Sequence, residues 1–371
     1  MKKLLTIILI LAIASVALIL GCAKAKKEIK IGAILPLSGP NAKYGQNVKM
    51  AIDLGIKQTN AAGGIGGKKV HVIYEDSQAL PAQGVAAARK LIEIDKVPAI
   101  IGEMASSVTL AIAPLAEQNQ VVLISPASSN PDITAAGDFI FRTCVSDTYE
   151  GSFIAKIVRD SLRLRTAAIL RINNDYGQGI ERVFEREFID SSHRVVAGEI
   201  FEPEATDFRA QLTKIKAASP ECLLLVGYKE MIRALRQYKE LGLSTQIIST
   251  VMFDDPEILE KAGDAAEGTI FTTWRLDMNR QKALDFLEQF KTEYGSEPSV
   301  FAPEAYDAFR LLVLAIEKGG YSGEMIRNEL YKTQNYPGVS GEISFDKNGD
   351  VVKPLVVETV TAGKFTRFGS L

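Results

Sequence analysis

The sequence predicts an α/β protein of two similar lobes with a cleft between them, carried behind an export signal. Three observations support this. The first 21 residues have the layout of a secretion signal, short apolar strands then alternate with amphipathic helices, and the alternation restarts halfway along the chain.

At the N-terminus Lys2 and Lys3 precede a 17-residue run of apolar and small residues, Leu4 to Leu20. A basic start, an apolar stretch and a small residue before a break is the order of a secretion signal. The run sits at the short end of what spans a bilayer, roughly 17–25 residues, so an uncleaved anchor is the alternative. Ile19-Leu20-Gly21-Cys22 resembles a bacterial lipobox. That resemblance implies removal of residues 1–21, acylation of Cys22 and a lipid anchor in the membrane. The polar stretch 22–27 then reads as a tether. The 350 residues left after cleavage suffice for two ordinary domains. Without Lys2 and Lys3 there are 41 basic against 45 acidic side chains, so the formal charge moves from −2 to −4. No basic excess points to a nucleic-acid partner.

Strands are expected at Ile29–Leu35, Val70–Tyr74, Ala99–Gly102 and Val121–Ser125, then again at Ala167–Arg171, Arg194–Ile200, Cys222–Val226, Gln246–Thr250 and Thr269–Thr273. Helical stripes lie between them. Val48, Ala51, Ile52, Gly55 and Ile56 fall at helical spacing, as do Ile180, Val183, Phe184 and Phe188. Further helices read at Leu284–Glu293 and Ala302–Lys318, followed by extended segments near Ile343 and over Val351–Val360. Alternation of this kind implies parallel sheets covered on both faces. The carboxyl ends of such strands are where ligands bind.

Several motifs are set aside. The cluster Gly63-Gly64-Ile65-Gly66-Gly67 follows a helix and precedes a strand, the reverse of a phosphate loop, so it reads as a helix stop. Asp346-Lys347-Asn348-Gly349-Asp350 opens like a calcium loop, but Val351 and Val357 occupy the required Gly and Glu positions. Asn348-Gly349 reads instead as a hairpin turn. His71 and His193 have packing or surface settings, and no nucleophile elbow, zincin or C-x-x-C motif occurs. Neither an enzyme, a metal nor a cofactor is indicated. Cys144 and Cys222 lack metal-ligand spacing and read as buried thiols, with a disulfide between them as the alternative in an oxidising compartment.

Hydroxyls stand directly after two strands. Ser106 and Ser107 follow Ala99–Gly102 and head a helix, where one of them is expected as the N-cap; Pro126-Ala127-Ser128-Ser129 follows Val121–Ser125. Side by side they would make a neutral cradle for a carboxylate from hydroxyls, amides and a helix dipole.

These segments resemble the leucine/isoleucine/valine-binding family of ABC-transporter receptors. The resemblance rests on Leu37-Ser38-Gly39-Pro40 with Tyr44-Gly45, Gly63-Gly64-Ile65, Ser106-Ser107 and Ser125-Pro126-Ala127-Ser128-Ser129. It continues in Asp175-Tyr176-Gly177-Gln178-Gly179, Gly227-Tyr228, Phe345-Asp346 and Gly349-Asp350. It implies a type I periplasmic-binding-protein fold, two Rossmann-like lobes joined by a hinge that the chain crosses three times. Lobe one would hold 28–145 and 274–352, and lobe two 146–273 and 353–371. It further implies that Ser106, Ala127 (through its backbone) and Ser129 meet a ligand carboxylate, that Tyr44, Tyr176 and Tyr228 line the cleft, and that Asp147 assists an amine. The acid with which amino-acid receptors hold the ligand ammonium is here Val251, with Asp254 and Asp255 nearby as substitutes. The implied function is capture of a branched-chain amino acid or similar small carboxylate for an ABC permease, in the periplasm or at the cell surface. A ligand sensor of the same fold and a receptor for an amine-free ligand are the alternatives.

Cys22 is the residue placed to carry a lipid, so Cys22→Ser should abolish metabolic labelling with a fatty-acid analogue and block maturation. Labelling that survives the substitution would refute the anchor.

Overall fold

The computed structural model describes residues 28–369. The signal, Cys22 and the tether lie outside the described residues. Two sheets share one strand order. In the first, β1 (Ile29–Leu35), β2 (Val70–Asp76), β3 (Ala99–Ile101), β4 (Val122–Ser125) and β5 (Ile140–Arg142) are all parallel and ordered β2-β1-β3-β4-β5. In the second, β6 (Thr166–Ile172), β7 (Arg194–Phe201), β8 (Cys222–Val226), β9 (Gln246–Ser249) and β10 (Ile270–Thr273) are ordered β7-β6-β8-β9-β10. Both orders reverse direction at one place, between β1 and β3 and between β6 and β8. Loops leaving such a switch point diverge to opposite faces and open a crevice.

The strands are buried because helices cover both faces of each sheet. β1 and β6 are enclosed along nearly their whole length, and β8 throughout, which is why they read as continuous apolar runs rather than alternating ones. The helix Ala42–Ala61 buries Val48, Ala51, Ile52 and Gly55. At Gly55 a side chain would lie 2.5 Å from the Phe309 ring, so the helix Ala302–Gly319 can pack directly against it. That later helix therefore covers the first sheet, although β6–β10 intervene in sequence.

Among the elements the sequence reading did not place are β5, only three residues long, and the helices Asp147–Lys156, Met231–Glu240, Pro256–Ala262 and Gly323–Leu330. It also misplaced the tail. Asn348-Gly349 does turn, with the Asp346 carboxylate accepting the amides of Asn348 (2.8 Å) and Asp350 (2.9 Å), but it joins no hairpin. The strand pair there is β11 (Tyr336–Pro337) with β12 (Glu342–Ile343). Val351 makes a single parallel bridge to Val145. The rest of the expected segment is β13 (Val356–Thr361), antiparallel to β10, and β14 (Lys364–Arg367) pairs β13 in turn. Cys144 and Cys222 are both buried, free thiols.

Three segments pass between the sheets, and the first and third are tied at one buried acid. Lys353 on the third donates to Glu304 Oε2 and, at 2.7 Å, to Ser340 Oγ. Thr143 on the first donates to the Glu304 backbone carbonyl at 3.0 Å. Lys353 is 3 % exposed and Glu304 is fully enclosed. Burial pushes the Glu304 carboxyl up to about 7, against the pull of Lys353. The second crossing is fastened by Trp274 Nε1 to the Val300 carbonyl at 3.2 Å and by Arg275 to Asp254 at 2.9 Å.

Removing one partner of a buried ion pair strands the other. Lys353→Met should cost about 3–5 kcal/mol of unfolding free energy at pH 8. The loss should shrink toward pH 5, where the stranded Glu304 is protonated, and be largely restored by adding Glu304→Leu. Urea titrations at the two pH values check this; a pH-independent loss would refute it.

Candidate functional site

The cleft forms where the two switch points face each other. Loops after β1, β3 and β4 supply one wall and loops after β6, β8 and β9 the other. It encloses about 560 Å³ of space free of protein atoms, its mouth included. Tyr44, Ser106, Ala127, Ser129, Tyr176, Tyr228 and Val251 all line it; Asp147 is not among the lining residues and is fully buried. The structure adds Met104, Met252, Trp274 and Phe301. Trp274 and Phe301 carry no local motif. They meet Tyr44 only because the second crossing returns to the first sheet, with Tyr44 and Trp274 edge-on to Phe301 at 6.3 and 6.0 Å.

One end of the cleft is polar. The hydroxyls of Ser125 (2.6 Å), Ser128 (2.8 Å) and Thr109 (3.2 Å) all donate to the Glu103 backbone carbonyl, drawing the loops after β3 and β4 together. Neither Ser106 nor Ser107 is the cap of the helix Ser106–Gln118. Ala105 holds that position, no side chain bonds from it, and the Ala105 amide is taken by the Glu103 carboxylate two residues back. The helix begins one residue earlier than a serine cap would require, and the Ala105 carbonyl accepts the amides of Val108 and Thr109, each at 3.0 Å. Ser106 is thereby released to the cleft, its oxygen accepting the Asn130 amide at 3.3 Å. The Ala127 amide leans on Ser125 Oγ at 3.2 Å, a long bond.

The opposite wall is aromatic. Tyr176 and Tyr228 stack at 5.6 Å with a 17° tilt, and the Tyr176 hydroxyl pairs with Thr250 Oγ1 at 2.6 Å. Val251 lies at the end of β9 and offers no charge; its amide donates to Glu150 Oε1 at 2.8 Å. Neither nearby substitute acid is available. Asp254 is bound by Arg275 and by the Thr273 hydroxyl at 2.6 Å. Asp255 accepts the Tyr44 hydroxyl at 2.6 Å and the Glu257 amide at 2.9 Å.

Asp147 remains. It is fully enclosed, its amide bonds the Ser129 carbonyl at 2.8 Å, and neither carboxylate oxygen makes a hydrogen bond of acceptable geometry. Burial drives its carboxyl well above the usual carboxylate range and the Glu150 charge adds to this, while the Ser129 hydroxyl and Arg142 pull the other way. Arg142 itself is committed to Asp350 and to the Ser129 and Asn130 carbonyls. Glu150, also missed by sequence reasoning, is pushed up to about 7 by burial, although the Thr272 hydroxyl bonds it at 2.6 Å. An enclosed carboxylate without a partner is costly unless a cation completes it.

Comparison with known proteins gives the family. The family model described as periplasmic binding protein matches residues 28–364. The leucine-, isoleucine-, valine-, threonine- and alanine-binding protein of Pseudomonas aeruginosa is 30 % identical over 329 residues, 88 % of each chain. The leucine-binding protein LivK of Thermotoga maritima superposes with a TM-score of 0.86 at 33 % identity, covering 92 % of this chain and 98 % of that one. LivJ of Streptococcus pneumoniae, solved in complex with isoleucine, gives 0.84 at 30 % identity, covering 91 % and 98 %. The chain belongs to the leucine/isoleucine/valine-binding family of type I periplasmic binding proteins.

Proposed function

We propose that the protein captures a branched-chain amino acid in this cleft and delivers it to an ABC permease, tethered at the outer face of a membrane through acylated Cys22. The observation that carries the ligand class is the pairing of two poles behind an apolar wall. The amides and hydroxyls of Ser106, Ala127 and Ser129 suit a carboxylate, and Asp147 has two buried oxygens without a donor. The ligand ammonium would complete Asp147, replacing the charge that Val251 lacks. Tyr44, Trp274 and Phe301 would cover an aliphatic side chain.

Capture would proceed by hinge closure, with contacts that exist only in the closed form biasing the equilibrium. Such contacts span the mouth. Lys43 donates to Glu257 at 2.8 Å and Tyr44 to Asp255 at 2.6 Å; Arg182 reaches Asp132 at 2.7 Å on the far side. Glu257 also receives Lys229 and Lys261, and the three lysines hold its carboxyl far below the usual range.

A thermal-shift panel of branched-chain amino acids, their keto analogues, amides and aromatic acids tests the ligand class, because a ligand of the folded state alone raises the melting temperature. Leucine should shift it strongly and its keto analogue weakly. Asp147→Asn should weaken leucine by roughly 10- to 100-fold, the range for losing a charged hydrogen bond of about 1.5–3 kcal/mol, and should spare the keto acid. A shift with amine-free compounds and none with amino acids would defeat this reading.

Closure is tested separately. Lys43→Met removes the pair that crosses the mouth and leaves Glu257 with Lys229 and Lys261, a loss of about 0.2–1 kcal/mol. It should raise leucine dissociation two- to fivefold in stopped flow, with the difference vanishing in high salt. An unchanged rate at low salt would show that the mouth contacts do not hold the closed form.

A further inference from the structure

Glu103 does not line the cleft itself but immediately precedes residues that do. It is fully enclosed, accepts the Ser77 hydroxyl at 2.7 Å and bonds the Ala105 amide. Met104, Ala105 and Ser106, the residues that follow it, line the cleft. The acid therefore occupies one side of the helix end whose other side faces the proposed carboxylate position. Two anions in one enclosed place at a single helix terminus repel, and one of them is expected to hold a proton, as in paired carboxylates generally. The same residue, through its backbone carbonyl, also gathers the three hydroxyls that shape the cradle.

We propose that Glu103 is a positioning residue of the cradle and its proton site, so that binding a ligand carboxylate takes up a proton at Glu103 and capture weakens as pH rises. This rests on the receptor reading above. Glu103 is poised for the role: burial lifts its carboxyl to about 7, and the Ser77 hydroxyl and the amides of Ala105 and Met104 oppose the rise. The charged group acting on it from the end of β2 is another acid, Asp76, and Tyr228 of the facing wall feels its charge. At pH 6 Glu103 already holds its proton and binding costs nothing there. Above its own titration the proton must be drawn from solution, and affinity falls by up to about tenfold per pH unit until the bound form itself titrates.

Asp147 and Glu150 are further buried acids with raised carboxyls, and on the proposed function a ligand ammonium would expel a proton from Asp147. The readout is therefore the difference between wild type and Glu103→Gln, which keeps the shape and an acceptor for the Ala105 amide. L-leucine and benzoate are titrated calorimetrically into both proteins from pH 6 to 8.5, in paired buffers of high and low ionisation enthalpy. The wild type should take up more protons than the variant between pH 7 and 8.5, and its affinity should fall relative to the variant's over that range. Without ligand, the wild type should lose melting temperature relative to Glu103→Gln from pH 5 to 8, because a carboxyl raised by folding destabilises the fold as pH passes through its titration. Should the variant not fold, infrared difference spectra of the wild type with benzoate at pH 8 should gain a protonated-carboxyl band. Equal proton uptake by both proteins, parallel affinity curves, or no such band would overturn the linkage while leaving the receptor reading intact. Failure of both probes to bind at any pH would overturn the receptor reading, and the linkage with it.

Discussion

The cleft depends on the carboxyl ends of a few parallel strands that point at one another across a gap. A parallel strand ends with backbone groups that its neighbours cannot all satisfy, and at a switch point the adjoining loops turn away from each other. β3 and β4 end beside one gap, β8 and β9 beside its counterpart. Hydroxyls and an acid fill these ends in the first sheet, aromatic rings fill them in the second, and the polarity of the cleft follows from that division.

Electrostatically the cleft is unfinished. Glu103, Asp147 and Glu150 are each almost wholly enclosed, and burial is the first cause raising every one of them. The strongest cation nearby, Arg142, is spent on Asp350 and two carbonyls. Acids kept in such a setting exchange protons with whatever charge enters. On the function proposed above, a ligand ammonium would meet Asp147 and a ligand carboxylate would come close to Glu103.

The hinge uses the same chemistry for a different end. Glu304 joins the first and third crossings through its backbone and its carboxylate, and Lys353 neutralises it away from water. A buried pair adds little net stability over an apolar one, but it is demanding in geometry. It fixes where the crossings lie.

The alternation of strands and helices was legible in the sequence because both periods come from burial on local elements. So were the cleft-lining serines, which follow strand ends, whereas the cleft-lining tyrosines were expected only from the family resemblance. β5 and the helix Gly323–Leu330 were not, being too short for a period to show. The cap was placed at Ser106 or Ser107 rather than at Ala105, because local pattern does not show at which residue the chain turns helical. The sequence by itself determined two α/β lobes and the absence of an acid at Val251. The tertiary structure decided which acid stands free: Asp254 and Asp255 sit nearer Val251 in sequence, yet Arg275 and Tyr44, brought in by distant segments, occupy them. Asp147 is left without a partner. Whether a carboxylate is spent or available depends on partners far away in the chain, and only folding brings them within hydrogen-bonding distance.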